Sequence, residues 1–262
     1  MKTSEAMKGK VAIITGGATG IGLATAALFL QQGMKVAIAG RRQQEGDKAV
    51  AQLKKISNDI LFIQTDISNS EQAANLVNET VRRFGRLDIA FNNAGIEGVF
   101  TSITDMPESN FDQLMNINVK GVWLSSKYAI AQFQRQGGGG AIVNTSSWLA
   151  RGAFSGSAVY SASKAALDGM TRGLAVEVAK DGIRINNVQP GYIQTPMFDR
   201  FFETENAEEL KAPLIKHTPL NRLGTPEDVA EMVLWLSSPA AGFVTGECIT
   251  VDGGLAIGGQ RG

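Results

Sequence analysis

Short apolar runs alternate with longer stretches of mixed polarity along the whole chain. V-A-I-I-T (Val11–Thr15) is apolar at every position but the last, the pattern of a strand covered on both faces. G-I-G-L-A-T-A-A-L-F-L-Q-Q-G (Gly20–Gly33) predicts a helix closed by a C-terminal glycine. Further strands are expected at Lys35–Ala39, Ile60–Gln64, Leu87–Phe91, Ala141–Thr145, Arg184–Val188 and Glu247–Val251. Helices are expected from about Gln43 to Ile56, Ser70 to Phe84, Phe111 to Gln134, Ala158 to Lys180 and Thr225 to Leu236. The last has threonine at its N-cap and proline at its first position. Strand–helix alternation with apolar strands predicts an α/β fold: a doubly wound, seven-stranded parallel sheet with helices on both faces. The Gly137–Gly140 run reads as a turn before a strand rather than a linker, and no repeat is present. Phe198 to His217 is polar with interspersed aromatics, a helical excursion or flap within about 193–217.

Composition narrows the chemistry. The 262 residues are 44% hydrophobic, enough for one large core, and residues 1–262 read as one domain. Lys plus Arg is 25 and Asp plus Glu is 25, so charge gives no case for nucleic acid or an anionic membrane as partner. Cys248 is the sole cysteine and His217 the sole histidine, so no thiolate cluster, intrachain disulfide or multi-histidine metal site can form. No metal is expected. A Ser–His–Asp triad would need His217 and a G-x-S-x-G elbow, which F-S-G-S-A at Phe154–Ala158 does not supply. The start, M-K-T-S-E-A-M-K-G-K, lacks the apolar core of a signal peptide, and no apolar run reaches bilayer length. A soluble cytoplasmic protein is expected.

T-G-G-A-T-G-I-G (Thr15–Gly22) lies between the first strand and the first helix. Gly16 permits a tight turn there, while Gly20 and Gly22 permit close approach of a pyrophosphate and of helix to sheet. The helix N-terminus offers amides and positive potential to such an anion. Turn glycines without a ligand are the bland reading. Y-S-A-S-K puts Tyr160 and Lys164 a little over one helical turn apart, on one face. A cation there favours the phenolate, making a proton-transfer group from a residue whose free pKa is about 10.

The glycine spacing G-x-x-x-G-x-G, with Thr19 and Ile21 inside it, resembles the fingerprint of the short-chain dehydrogenase/reductase family. The resemblance runs over essentially the whole chain. It implies a Rossmann-type, single dinucleotide-binding and catalytic domain, with Gly16, Thr19, Gly20, Ile21 and Gly22 at the cofactor. The matching Asp66 and the backbone of Ile67 would meet the adenine; a helix cap is the other reading of Asp66. Asn93, Ala94 and Gly95 of N-N-A-G would lie beside the adenosine portion. The Ile193 backbone and the Thr195 hydroxyl would hold the nicotinamide carboxamide. Asp252 of V-D-G-G reads as structural.

Strand two ends A-G-R-R (Ala39–Arg42), where the adenosine ribose of a bound dinucleotide would lie. An acidic residue there would bind the ribose diol; Arg41 and Arg42 instead suit a 2′-phosphate by charge and forked hydrogen bonding. The expected cofactor is NADP(H). Ordinary solvated cations are the other reading. Thr19 departs from the basic residue that NADP-preferring relatives often carry just before the second glycine.

The family's serine lies thirteen positions before its tyrosine, which selects Ser147 over Ser146 at the end of strand five. By resemblance, Ser147 binds the substrate oxygen, Tyr160 transfers the proton, and Lys164 acidifies the phenol and reaches the nicotinamide ribose. Asn118, directly before V-K-G, would hold a water linking Lys164 to solvent; an asparagine satisfied by local backbone is the alternative.

Specificity should come from Trp148–Phe154, Glu97–Phe100 and the Phe198–His217 excursion. Phe154, Phe198, Phe201 and Phe202 suggest an apolar wall and hence a fairly apolar ketone or secondary alcohol, unless they pack on the protein itself. A 3-oxoacyl-(acyl-carrier-protein) reductase remains open, although Val176 stands before Glu177 where such relatives often carry arginine. A sugar (glucose) 1-dehydrogenase also remains open, as does a non-catalytic NADP sensor, which loss of Tyr160 or Lys164 would favour. Length disfavours a sugar-nucleotide epimerase with an added domain. By resemblance the protein is expected to be a homotetramer.

Overall fold

A computed structural model describes residues 3–204 and 206–258. The chain order is α1 (Thr3–Met7), β1 (Val11–Thr15), α2 (Gly20–Gln31), β2 (Lys35–Gly40), α3 (Gln43–Leu53), β3 (Ile60–Gln64), α4 (Ser70–Phe84) and β4 (Ile89–Asn92). Then come α5 (Glu108–Met115), a π-helical stretch (Asn116–Gly121), α6 (Val122–Gln136), β5 (Gly140–Thr145), α7 (Ala158–Val178) and β6 (Ile183–Pro190). The chain closes with α8 (Pro196–Asp199), α9 (Ala207–His217), α10 (Pro226–Ser237) and β7 (Cys248–Val251).

The seven strands form one sheet in the order β3-β2-β1-β4-β5-β6-β7, and every pairing is parallel. Successive side chains of a strand point to opposite faces, and β1 divides accordingly. Ala12 and Ile14 join the core under α2, α3 and α10, with Ala26, Phe29, Leu53, Val229 and Val233. Val11 and Ile13 join the core under α4, α6 and α7, with Leu76, Val77, Phe133 and Val178. This two-faced burial is why the strands read as unbroken apolar runs.

Helix termini follow local chemistry. Asn69 caps α4 by accepting from the Gln72 N–H, and Gly85 closes it in the left-handed region. Thr225 and Asp228 form a capping box on α10, with Pro226 at the first position. By contrast, Thr19 makes no side-chain cap on α2. The first amides of α2 therefore lack the side-chain partner that the other two helices carry.

Several elements differ from the sequence reading. The single helix expected over Phe111–Gln134 is two α-helices joined by the π stretch. The 198–217 excursion is helical, one of its two readings, with α9 and the second half of α8, and α1 was not expected. Ile89–Asn92 and Ile183–Pro190 are shifted by up to two residues from the expected strands.

Candidate active site

All the site residues expected from the sequence lie on the loops and helices at the carboxyl edge of the sheet, or just beside it. The strand order reverses between β1 and β4, where ligands of such sheets bind. A Cβ at Gly22 would collide with the Gly16 carbonyl oxygen, so only glycine lets α2 start this close to β1. A Cβ on Gly20 would stand 3.3 Å from Thr195 Cγ2, so the first and last loops of the site adjoin. Thr195 also caps α8 by accepting from the Phe198 N–H at 3.2 Å. Ile193 is buried and bridges Gly224.

Asn93 ties the loops together. Its backbone N–H donates to Thr15 Oγ1 at 3.0 Å and its side chain to the Thr15 and Gly16 carbonyls, each at 3.3 Å. Its Oδ1 accepts from Thr145 Oγ1 at 3.1 Å, and the Ala94 N–H also donates to Thr15 Oγ1. Asp66 Oδ1 takes both the N–H and the hydroxyl of Ser68, which leaves Oδ2 available. The Ile67 side chain fills the space beside Gly121 of the π stretch. Arg41 and Arg42 are exposed at the β2–α3 turn, and neither has a carboxylate partner among the described residues.

Asn118 is fully buried in the π stretch, a helix defect that recurs at functional sites. Its Nδ2 donates to the Ile96 carbonyl at 2.9 Å and to Ser163 Oγ at 3.2 Å, while Oδ1 accepts from the Ile96 N–H at 2.9 Å. One amide hydrogen holds the 95–97 loop and the other holds α7 through Ser163; one lone pair of Oδ1 is left. A Cβ at Gly95 would lie 3.1 Å from that Oδ1 and 3.6 Å from Lys164 Nζ, so glycine keeps the gap between the two groups open. Asn118→Ala strands the part-buried Ile96 N–H and C=O, and is expected to cost about 1–3 kcal/mol by thermal denaturation.

Tyr160 and Lys164 follow one another on α7, and Lys164 Nζ stands 5.7 Å from the phenol ring centre. Lys164 is buried and donates to the Thr145 carbonyl at 2.8 Å. Ser146 Oγ is committed to the Lys164 carbonyl at 3.2 Å. Ser147 Oγ accepts from the Leu149 N–H at 3.1 Å and is the hydroxyl that bears on the phenol.

Desolvation raises the Tyr160 pKa to about 12; Ser147 draws it down and the Glu97 charge pushes it up. Burial likewise lowers Lys164 to about 8, against which Asp168 acts. Loss of water is the largest influence on the phenol in the protein by itself.

The expected apolar wall is present and larger than the four phenylalanines, and the Arg200–Glu97 pair and a chain of buried asparagines escaped sequence reasoning. Aromatic rings run in contact from Tyr160 to Phe100 (5.9 Å), then to Phe154 (5.1 Å) and Phe201 (5.6 Å). They continue through Trp148 and Tyr192 to Phe198 and Phe202. Arg200 pairs with Glu97 at 2.8 Å, fastening the same two segments as the Phe100–Phe201 contact. In the asparagine chain, Asn92 donates to Asn144 Oδ1 (2.8 Å), and Asn144 to Asn187 Oδ1 (3.0 Å). Their sequence signal was polar residues inside otherwise apolar strands.

Comparison with known proteins finds relatives that span nearly the whole chain. A family profile described as enoyl-(acyl carrier protein) reductase matches residues 16–256. An uncharacterized oxidoreductase of Thermotoga maritima is 42% identical over 94% of this chain and 97% of its own. A 3alpha-hydroxysteroid dehydrogenase of Mediterraneibacter gnavus is 38% identical over 94% of this chain and 97% of its own. The crystal structure of levodione reductase superposes with a TM-score of 0.91 at 32% identity, covering 95% of this chain and 98% of that one.

Proposed function

The chain belongs to the short-chain dehydrogenase/reductase family, and from that premise we propose that it interconverts a fairly apolar ketone and its secondary alcohol, with NADP(H) as the nicotinamide cofactor. The observation that carries the reading is the convergence of Ser147, Tyr160 and Lys164 at the carboxyl edge of the sheet, next to an uncapped helix N-terminus. The residues present fit a dinucleotide. Gly16, Gly20 and Gly22 leave the room that side chains would fill, and the free amides of α2 suit a pyrophosphate. Arg41 and Arg42 suit a 2′-phosphate. Thr19, Ile21, Asp66, Ile67, Asn93, Ala94, Gly95, Ile193 and Thr195 line the rest of that path in this reading.

When bound, the nicotinamide exchanges a hydride with the substrate carbon. Ser147 holds the carbonyl oxygen by a hydrogen bond. Tyr160, protonated, donates its proton as that oxygen becomes an alkoxide. Lys164 stabilises the phenolate left behind, and the gap at Gly95 gives a route toward Asn118 for the returning proton. Ser147→Ala, which removes one oxygen-binding donor, is expected to lower kcat by about 10²-fold with cofactor affinity intact. The deciding assay is nicotinamide absorbance with ketones, β-ketoesters, sugars and alcohols, each with the phosphorylated and unphosphorylated cofactor. The reading fails if no carbonyl or alcohol turns over.

The aromatic run beside Tyr160 supports an apolar substrate over a sugar. No helix among the described residues is long and apolar enough to cross a membrane, which suits a cytoplasmic enzyme. The whole chain acts as one cofactor-binding and catalytic unit in this reading. It self-associates, as a homotetramer, through the α5–α6–α7 face, where Trp123 is 44% exposed beside an apolar hollow of about 450 Å³ lined by Met115, Val119 and Met170. Trp123→Glu is expected to release smaller species in sedimentation, and an unchanged size distribution would count against this face.

A further inference from the structure

Asp168 is a carboxylate that the reaction above leaves unused, yet it is only 7% exposed. It sits on α7 one turn beyond Lys164, itself one turn beyond Tyr160, so the three follow one another along one helix face. Asn187 Nδ2 donates to Asp168 Oδ1 at 2.9 Å, and Gln189 Nε2 to Oδ2 at 2.6 Å. Those donors are themselves fixed. Asn187 Oδ1 accepts from Asn144 at 3.0 Å and from Thr171 at 2.6 Å, and Gln189 Oε1 accepts from Thr250 at 3.3 Å. Each acceptor bond sets the orientation of its amide, so both N–H groups must face the carboxylate. Two such donors, one on each oxygen, hold the carboxylate in place. Lys164, also buried, hydrogen-bonds a neutral carbonyl at Thr145. A buried ammonium without a counter-charge sheds its proton.

We infer that Asp168 is a positioning residue of the reaction: its buried carboxylate, locked by Asn187 and Gln189, keeps the neighbouring Lys164 ammonium charged beneath Tyr160. This rests on the reading of Lys164 as the partner of Tyr160. Asp168 opposes the burial that draws Lys164 down to about 8. The other titratable groups around the pair are few. Tyr160 and Glu97 lie on the phenol side. Cys248 of β7 faces Asp168, and its thiol, pushed up to about 11, stays neutral in the working range; Arg151 bears on Cys248. Thr145, Asn118 and Ser163 carry no charge.

Carbonyl reduction needs the ammonium and fades as pH rises through the Lys164 pKa. Removing the carboxylate lets Lys164 lose its proton at lower pH. Asp168→Asn is therefore expected to move the high-pH limb of carbonyl reduction down by about one pH unit, a roughly tenfold loss at pH 9. A second readout needs neither cofactor nor turnover: NMR titration of Lys164 in ¹³C-lysine-labelled protein, assigned with Lys164→Arg, should show the same displacement. Asp168→Glu should restore most of it. Where the asparagine variant fails to fold, Asp168→Ser carries both readouts. A folded variant with reduced thermal stability but an unmoved limb and an unmoved lysine titration would overturn the inference. A wild type inactive on the whole carbonyl panel, with a lysine titration that still moves, would overturn the proposed reaction and support the Asp168 assignment.

Discussion

Tyr160→Phe is expected to leave a folded protein that binds the nicotinamide cofactor and reduces carbonyls about 10²–10⁴-fold more slowly, the usual worth of a positioned general acid. That loss corresponds to about 3–5 kcal/mol of barrier. The substitution removes one oxygen and little else. The ring keeps its edge contact with Phe100, 5.9 Å between centres, and its place on α7. No backbone group depends on the phenol oxygen. Lys164 keeps its bond to the Thr145 carbonyl, so its reach toward a cofactor is unaltered. Because desolvation holds the phenol near 12, the wild-type acid is protonated throughout the neutral range. The rate ratio between wild type and variant should therefore hold steady from pH 6 to 8, unlike the Asp168 variants, whose deficit grows with pH. Steady-state kinetics with fluorescence titration of the cofactor checks both halves. Activity within a few-fold of wild type would remove Tyr160 from the chemistry. A matching loss of cofactor affinity would make it a binding group.

The parts of this molecule that were legible in the sequence are those governed by local rules. Apolar strands buried on two faces, caps such as Thr225 with Pro226, and glycines forced by close approach all leave short-range signatures. The spacing of Tyr160 and Lys164 is likewise local, since one helix carries both. What was not legible depends on groups distant in sequence. The π stretch at Asn118 interrupts a pattern that reads as continuous helix, because the cause is tertiary: the side chain is pulled onto the Ile96 backbone. The Arg200–Glu97 pair joins residues that no periodicity relates. Asn144 and Asn187 stand in apolar strands as apparent misfits, and only the fold pairs them with each other and with Asp168. Proximity of Lys164 is written in the helix spacing, but the loss of water around both groups comes from the packing of several elements.

Arg41→Asp is expected to reverse the cofactor preference, weakening NADPH by about 10–150-fold, as loss of charge-assisted hydrogen bonds worth roughly 1.5–3 kcal/mol would do. The turn itself should survive. Its shape comes from the backbone, through Gln64 Nε2 donating to the Arg41 carbonyl at 2.9 Å and the Gly46 N–H donating to the Arg42 carbonyl at 3.1 Å. Gly40 before it presents no side chain, so the strand end is open to a ribose. Neither guanidinium is neutralised by a carboxylate among the described residues, and a cation at a helix start is mildly opposed by the helix dipole. An anionic ligand removes that opposition. The aspartate acts in two ways: it repels the 2′-phosphate, and it offers the unphosphorylated ribose an acceptor for its hydroxyls. NADH should gain while NADPH loses, so the ratio of kcat/KM values moves further than either alone. Arg42→Ala should weaken NADPH less and leave NADH unchanged, because it removes charge without supplying an acceptor. Both variants keep Ser147, Tyr160 and Lys164, so kcat at saturating cofactor should stay near wild type. An NADPH/NADH ratio equal in wild type and Arg41→Asp would mean that the two arginines are solvated surface cations and that the ribose is recognised elsewhere.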